Sequence, residues 1–355
     1  KLLVIRVKRS PASWAASKGI PVLDPRQDYL PALDAEPFDY LFSITHLALI
    51  PEEVLKRPRR AAINFHDGAL PRYAGLNTPS WALINGEDQW AITFHEMTPG
   101  VDEGDILVQR WFEIAPRETA LTLNARCFEE GLEGFRELVE GLGAGTIQGQ
   151  AQSLAERSYH ARADRPPKAG VIDWREPANQ IDRRVRATNY GRYANRFGVM
   201  KIHHGGKVVT VSSSEVSERS GAPGELIELG DETWTVGTSD GAITLSGFAT
   251  IDGATLSARD AATTLAVGPS SRLDVLDDDA ARALDAAGEQ AYPAEPFYER
   301  RLELIEGVGV PHARSEARPE GRFARAPLEV PDALRHHAGD HIDAALIAAF
   351  ATYLG

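Results

Sequence analysis

The chain has 355 residues, of which 43% are hydrophobic and 25% are charged, as in a folded globular protein of two or three domains. A single cysteine excludes a disulfide framework and a cysteine zinc site, and the formal net charge of −13 disfavours a protein that grips nucleic acid. There is no run of 18 apolar residues and no signal peptide, so we predict a cytoplasmic protein that does not associate with membranes.

Strand and helix patterns alternate along the first half of the chain. In chain order they are a short helix before Gly19, a strand at Tyr40–Ile44, a helix opened by Pro51, a strand at Ala61–His66, a helix at Pro79–Asn85, strands at Trp90–Met97 and Ile106–Ile114, and a long helix capped by Thr119. This alternation predicts an α/β domain with a doubly wound, mostly parallel sheet. Lys1–Ile5 resembles a further strand, but no crossover helix follows it, so we expect that first βα unit to be incomplete.

The second half of the chain has a different pattern. After a connector rich in proline and charge and a helix at Pro177–Thr188, glycines separate five short apolar segments: Val199–His203, Lys207–Glu215, Gly224–Leu229, Trp234–Thr238 and Ala242–Gly247. Short strands joined by glycine turns predict a small open β-barrel. Beyond it we expect a helical extension with an acidic helix at Asp277–Ala287, a segment at Phe297–Leu304, and a final helix at Asp340–Leu354 whose apolar face needs a partner.

Three polar side chains are candidates for catalysis. Asn64 and His66 lie two residues apart in a predicted strand and share one face, while Phe65 faces the packing. Asp102 lies in a loop after Thr-Pro-Gly that can return to the same place. This set suits the transfer of a carbonyl-bearing group. His66 would exchange a proton, Asn64 would donate to a developing oxyanion, and Asp102 would orient and charge-stabilise the imidazole or hold a proton-shuttling water.

These residues belong to an ordered set of motifs. Asn64-x-His66 is followed by Leu70-Pro71-Arg72-Tyr73-Ala74-Gly75 and then by Val101-Asp102-Glu103-Gly104. The set resembles the folate-dependent formyltransferases, whose pattern is Asn-x-His, then Leu-Pro-x-Tyr-x-Gly, then Leu-Asp-x-Gly. The resemblance extends from about Gly19 to about Asp252. It includes Gly170-Val171-Ile172-Asp173-Trp174, which is similar to the start of the second domain in the enzymes that formylate methionyl-tRNA.

The resemblance implies a domain organisation and a formyl donor. We expect a catalytic domain over residues 1–160, an OB-like C-terminal domain over 168–262 and a helical extension over 268–355. The implied donor is 10-formyltetrahydrofolate, bound without a metal in the crevice beyond the carboxyl ends of the strands. The matching residues are Ala48, Leu49 and Ile50 on one wall and Thr98, Gly100 and Val101 on the other. Apolar side chains there suit a flat ring, although Leu49 and Ile50 could also be a hydrophobic loop packed on the core.

The motifs do not name the amine that accepts the formyl group. Arg72, Tyr73 and Asn77 lie on a loop predicted to face the site and are candidates for binding it. The acidic charge favours a small or carrier-tethered amine, such as an amino acid, over tRNA. The C-terminal stretch weakly resembles the entry into an adenylation- or condensation-type domain of a peptide-synthetase assembly line. The alternatives are a methionyl-tRNA formyltransferase, a 10-formyltetrahydrofolate hydrolase and a non-catalytic docking module.

Other polar residues carry weaker predictions. His336, His337 and His341 have a spacing that could ligate a metal on a helix, but no further ligand pattern supports such a site, and surface histidines are the favoured interpretation. His95 follows Thr93 on a strand near the site and is either a hydrogen-bonding partner of the catalytic residues or a packing residue. Cys127 is predicted to be a small buried filler in a helix.

Overall fold

The structure, a computed structural model, describes residues 10–24, 27–193 and 195–303. The predicted strand at Lys1–Ile5, the predicted terminal helix at Asp340–Leu354 and the histidines at 336, 337 and 341 lie outside the described residues. All of the predicted catalytic and donor-binding residues lie inside them.

The first half of the chain forms a sheet with helices around it. Its strands are β1 (Tyr40–Ser43), β2 (Ala61–His66), β4 (Gln89–Glu96) and β5 (Ile106–Glu113). Its helices are α1 (Pro11–Ser17), α2 (Leu30–Ala35), α3 (Glu52–Leu55), α4 (Thr78–Asn85) and α5 (Ala120–Ala144). A short strand β3 (Ala74–Gly75) pairs in parallel with β6 (Tyr159–His160), which lies in the connector to the second half.

The sheet has the order β1-β2-β4-β5. Strands β1 and β2 run parallel, whereas β2 with β4 and β4 with β5 run antiparallel. The predicted α/β fold class is confirmed. The described strands make a mixed sheet because a loop of nine residues, 97–105, joins β4 to β5, and so short a return permits only antiparallel pairing.

Helix α5 packs closely on one face of this sheet because glycines lie at the contact. Thr119 caps the helix as predicted, accepting a hydrogen bond from the amide of Thr122. A Cβ at Gly131 would lie 2.6 Å from Cε2 of Phe65, which is 9% exposed beneath the helix. The missing side chain therefore lets the helix approach the back of the strand whose other face carries Asn64 and His66.

Gly131→Ala is expected to destabilise the protein by roughly 1–3 kcal/mol, because the added methyl group overpacks Phe65. Gly143→Ala is the matched control, since it lies in the same helix and a Cβ there meets nothing within 4 Å. That substitution should be neutral or stabilise by up to about 1 kcal/mol through helix propensity. Urea unfolding of both variants gives the comparison, and equal effects at the two positions would contradict this account of the packing.

The second half of the chain forms an antiparallel sheet, as predicted. Its strands are β7 (Met200–His204), β8 (Lys207–Ser217), β9 (Leu226–Leu229), β10 (Trp234–Gly237) and β11 (Ala242–Ala249), in the order β7-β8-β11-β10-β9. Helices α6 (Ala178–Ala187) and α7 (Ala258–Leu265) pack against β8. Trp174, Trp234 and Phe248 are each about 1% exposed or less and fill the core of this curled, open sheet.

The remaining helices are α8 (Asp278–Ala291) and α9 (Glu295–Glu303). Helix α8 belongs to a compact unit that ends at Pro293 and contains both sheets, and α9 belongs to a unit that begins at Ala294. Within the described ranges, every helix is too short or too polar to cross a membrane.

Candidate functional site

Strand β2 places Asn64 and His66 on one face of the sheet, at the carboxyl end of the strand. In the antiparallel register with β4, His95 lies directly opposite Asn64, and Nδ2 of Asn64 is 3.2 Å from Nε2 of His95. The rings of His66 and His95 are 6.3 Å apart between centroids and nearly perpendicular. Phe65 points to the opposite face and contacts Phe94. The pleat of β2 and its register with β4 thus bring one amide and two imidazoles together.

Asp102 reaches this group from the loop between β4 and β5. Its φ is 55°, in the left-handed region that Asp adopts more readily than most non-glycine residues. The carboxylate accepts a hydrogen bond from the amide of Gly75 at 2.8 Å. It lies 3.3 Å from Nε2 of His95 and 3.7 Å from Nδ1 of His66. The four side chains therefore form one cluster, and the loop does return to the strand end.

The imidazole of His66 is held by the loop that follows it. Its Nε2 is 2.8 Å from the carbonyl oxygen of Tyr73, and because a carbonyl only accepts, that nitrogen carries a hydrogen. The other nitrogen, Nδ1, faces Asp102. A Cβ at Gly68 would lie 2.5 Å from Nε2 of His66 and 2.8 Å from the oxygen of Tyr73, so only glycine leaves this hydrogen bond intact.

Asp102 is the charged centre of the cluster. Burial by itself raises the pKa of its carboxyl group. The positive charge of protonated His66, a hydrogen bond from protonated His95 and the hydrogen bond from the Gly75 amide together outweigh burial and lower the pKa from 3.8 to about 2. The carboxylate is therefore ionised at neutral pH and can balance the charge of an imidazolium beside it.

His95 is a hydrogen-bonding partner as well as a buried residue. It is 2% exposed, and its Nδ1 donates to the carbonyl oxygen of Glu96 at 2.8 Å. In the neutral ring, Nε2 then accepts from Nδ2 of Asn64. One hydrogen of the Asn64 amide is thereby fixed on His95, and the second hydrogen stays available to an oxygen atom in the cleft.

The predicted donor walls are two loops beside this cluster. The loop after β1 begins at the same sheet end as the cluster, because Ser43 pairs with Asn64. Leu47 and Leu49 on it are 67% and 80% exposed, so Leu49 is not packed on the core. Exposed apolar side chains beside a buried polar cluster are typical of a binding surface. On the other loop, the hydroxyl of Thr98 donates to the carbonyl oxygen of Gly100 at 3.3 Å.

The predicted acceptor-binding residues occupy three different environments. Arg72 is exposed and pairs with Glu87. The side chain of Tyr73 is 3% exposed and packs on Trp90 with ring centroids 4.8 Å apart, and burial together with Glu87 raises the pKa of Tyr73 to about 12. Asn77 has a φ of 56° and lies immediately before α4. Tyr73 contacts this cluster through its backbone carbonyl, while its ring faces the core.

Sequence reasoning missed two residues of the connector between the sheets. Nε2 of Gln152 lies 3.0 Å from the carbonyl oxygen of Asp102 and 2.6 Å from that of Gly104. A guanidinium nitrogen of Arg157 lies 2.9 Å from the carbonyl oxygen of Val101. Both lie about fifty residues from the loop that they bind and in no motif, so no local signal in the sequence marks them. In the part of the chain that the structure describes, no cluster of His, Cys, Asp and Glu is arranged to hold a metal.

Comparison with known proteins identifies the family. A protein-family model described as formyl transferase matches residues 14–139. A second family model, described as the C-terminal domain of formyl transferase, matches residues 166–265. The methionyl-tRNA formyltransferase of Geobacter metallireducens is 31% identical over 234 residues, which are 64% of this chain and 72% of that protein. The chain belongs to the formyltransferase family.

Solved structures share the fold of this formyltransferase at low sequence identity. The sugar 3N-formyltransferase WlaRD, solved with dTDP and 5-N-formyl-THF, has a TM-score of 0.54 and 19% identity, with 67% of this chain and 81% of that chain covered. An N-formyltransferase from Helicobacter canadensis, in complex with folinic acid and dTDP-3-aminofucose, has a TM-score of 0.52 and 18% identity over 68% and 83%. HypX from Aquifex aeolicus, in complex with tetrahydrofolic acid, has a TM-score of 0.52 and 21% identity over 67% and 42%.

Proposed function

We propose that this formyltransferase moves a formyl group from 10-formyltetrahydrofolate to the amine of a small or carrier-tethered substrate. The observation that carries the proposal is the cluster of Asn64, His66 and Asp102, in which one carboxylate lies within 4 Å of two imidazoles at the end of a strand. The folate ligands named for the solved structures support the choice of donor. The exposed leucines of the loop after β1 fit a flat, apolar ring.

In the proposed mechanism each residue acts through an atom whose position is described above. The donor supplies an activated formyl carbon bonded to N10. The free hydrogen of the Asn64 amide donates to the formyl oxygen as charge develops on it. His66 accepts through Nδ1 the proton that the attacking amine loses, and Asp102 stabilises the resulting imidazolium. The new bond joins the amine nitrogen to the formyl carbon, the carbon–N10 bond breaks, and the proton passes to N10.

The donor site is tested by binding. We expect 5-formyltetrahydrofolate, a stable analogue, to bind beside Ala48–Ile50 and Val101. We expect Leu49→Asp to weaken binding by roughly tenfold or more, because the apolar contact between Leu49 and the bound ring is lost. Ile251→Asp is the matched control, since Ile251 is also an exposed apolar residue, at 66%, but lies beyond β11 of the other sheet. Titration calorimetry on the full chain that detects no folate binding, or that finds equal loss in both variants, would contradict the assignment.

The acceptor is tested by competition. The net charge of −13 supports a small amine, or an amino acid on a carrier, because a tRNA substrate needs basic side chains against its phosphates. The enzyme is offered initiator Met-tRNA together with amino acids and carrier-loaded aminoacyl thioesters, and radiolabelled formyl is followed. We expect label in a small or carrier-bound amine. Efficient formylation of the tRNA, falling steeply with salt, would instead establish a methionyl-tRNA formyltransferase, in keeping with the relative from Geobacter metallireducens.

A hydrolase is the second candidate, because the same cluster could activate water in place of an amine. The two reactions differ in one observable. A hydrolase releases formate and tetrahydrofolate from the donor without any acceptor, whereas a transferase forms tetrahydrofolate only when the amine is present and leaves the formyl group on that amine. Tetrahydrofolate formation measured with and without acceptor decides between them.

A further inference from the structure

We infer that Gln152 and Arg157 are positioning residues that hold the Asp102 loop in its active geometry from the connector between the two sheets. The inference rests on the proposed function, because it assigns these residues to the same reaction. Gln152 donates through Nε2 to the carbonyl oxygens of Asp102 and Gly104, at 3.0 and 2.6 Å. Arg157 donates to the carbonyl oxygen of Val101 at 2.9 Å.

The loop needs such support because its conformation is unusual. Asp102 has a φ of 55°, which few non-glycine residues adopt. A Cβ at Gly104 would lie 2.0 Å from the carbonyl oxygen of Glu96, so the backbone closes tightly on the end of β4. Three carbonyl groups of this turn, at Val101, Asp102 and Gly104, receive their hydrogen bonds from the two connector side chains. A glutamine and an arginine therefore supply donors that the turn lacks within itself.

The same connector also forms hydrogen bonds with the loop that contains Tyr73 and Ala74, on the other side of the cluster. The carbonyl oxygen of Ser158 accepts from the amide of Ala74 at 2.9 Å, and its hydroxyl accepts from the amide of Tyr73 at 3.0 Å. These amides flank the carbonyl that holds His66 and precede the Gly75 amide that holds Asp102. Residues 152–160 thus hold both loops from one segment, and we expect the distance between His66 and Asp102 to depend on it.

The two side chains are expected to affect different kinetic constants. Gln152 holds the backbone of Asp102 itself, so Gln152→Ala should lower kcat by about tenfold to a hundredfold, the usual cost of displacing a catalytic group by about 1 Å. Arg157 holds Val101, which lies on the proposed donor wall, so Arg157→Ala should chiefly raise the KM for 10-formyltetrahydrofolate. Arg157→Lys keeps a donor and a positive charge and should restore part of that loss.

A double-mutant cycle separates a positioning role from a general structural one. Asp102→Gly removes the carboxylate but suits the left-handed backbone. In that background Gln152→Ala should change kcat no further, because the group it positions is gone. An equal loss of kcat in both backgrounds would overturn the inference. Gln148→Ala, an exposed glutamine four residues away, is the matched control and should leave kcat unchanged.

A measurement that needs no turnover distinguishes failure of this inference from failure of the proposed function. The amide of Gly75 donates to the Asp102 carboxylate at 2.8 Å, so its hydrogen exchange reports where that carboxylate lies. Hydrogen exchange of the Gly75 amide should be faster in Gln152→Ala than in Gln148→Ala. If Gln152→Ala does not fold, Gln152→Glu is the second variant, because it keeps the shape of the side chain but loses the amide donor. Unchanged exchange in a folded Gln152 variant would overturn the inference, even for a protein that shows no formyl transfer.

Discussion

His66→Ala is expected to lower kcat for formyl transfer by at least about a hundredfold, the contribution of a positioned acid–base group. His66 is 5% exposed, and its Nδ1 faces the Asp102 carboxylate at 3.7 Å while Nε2 is held by Tyr73. Among the described side chains of the cluster, His66 is the imidazole that bonds to the carbonyl of Tyr73. Single-turnover kinetics with radiolabelled donor measure the chemical step directly.

His66→Gln separates proton transfer from architecture. A glutamine amide can still donate to the carbonyl of Tyr73, but it does not exchange protons near neutral pH. His66→Gln should therefore bind folate and unfold at a denaturant concentration close to that of the wild type, and yet be slow. Turnover near the wild-type rate in His66→Gln would show that His66 is a structural residue and would remove it from the mechanism.

Much of strand β2 could be predicted from the sequence. Ala61–His66 is a short apolar run ended by polar residues, and the structure gives the strand the same bounds. The period of two then determines that Asn64 and His66 share a face. The capping threonine at 119 and the five strands of the second sheet followed equally from local signals. Cys127 is 1% exposed, and burial raises the pKa of its thiol, as expected of a core filler.

The contacts that complete the site could not be predicted in this way, because they join distant segments. His95 meets Asn64 through the register of two strands, which the sequence does not specify. The Gly75 amide and Gln152 meet Asp102 only after the chain has folded. The alternation of strands and helices also did not predict the antiparallel pairing of β4 and β5. The nine-residue loop between these strands, rather than their apolar pattern, determines that they run in opposite directions.

Some elements have sequence signals that are too weak to predict them. Helix α2 has six residues, and α7 has eight with three alanines and one leucine on its buried side, so the apolar stripe of each helix is short. The apolar run Gly19–Leu23 forms no strand in the structure, and Ile20, Val22 and Leu23 are between 43% and 49% exposed.

Asp102→Asn should also lower kcat by about a hundredfold or more, for an electrostatic reason. Asparagine tolerates a left-handed backbone, and its oxygen can still accept from the Gly75 amide, so the loop is expected to keep its shape. What the variant loses is the negative charge that stabilises an imidazolium at His66. Folate binding should survive, because no atom of Asp102 belongs to the proposed donor walls. A kcat within threefold of wild type, roughly 0.6 kcal/mol, would show that the charge is not used.

The same substitution has an expected signature in stability that is independent of catalysis. The pKa of Asp102 is lowered to about 2 in the folded protein, against 3.8 for the free group, so its ionised form stabilises the fold above about pH 4. This contribution is on the order of 2 kcal/mol and is lost as the pH falls from about 4 towards 2. Asp102→Asn has no such group, so its free energy of unfolding should fall less steeply over that interval. Urea unfolding of both proteins between pH 6 and pH 2 tests this, and parallel curves would mean that the histidines do not hold the carboxylate in its charged form.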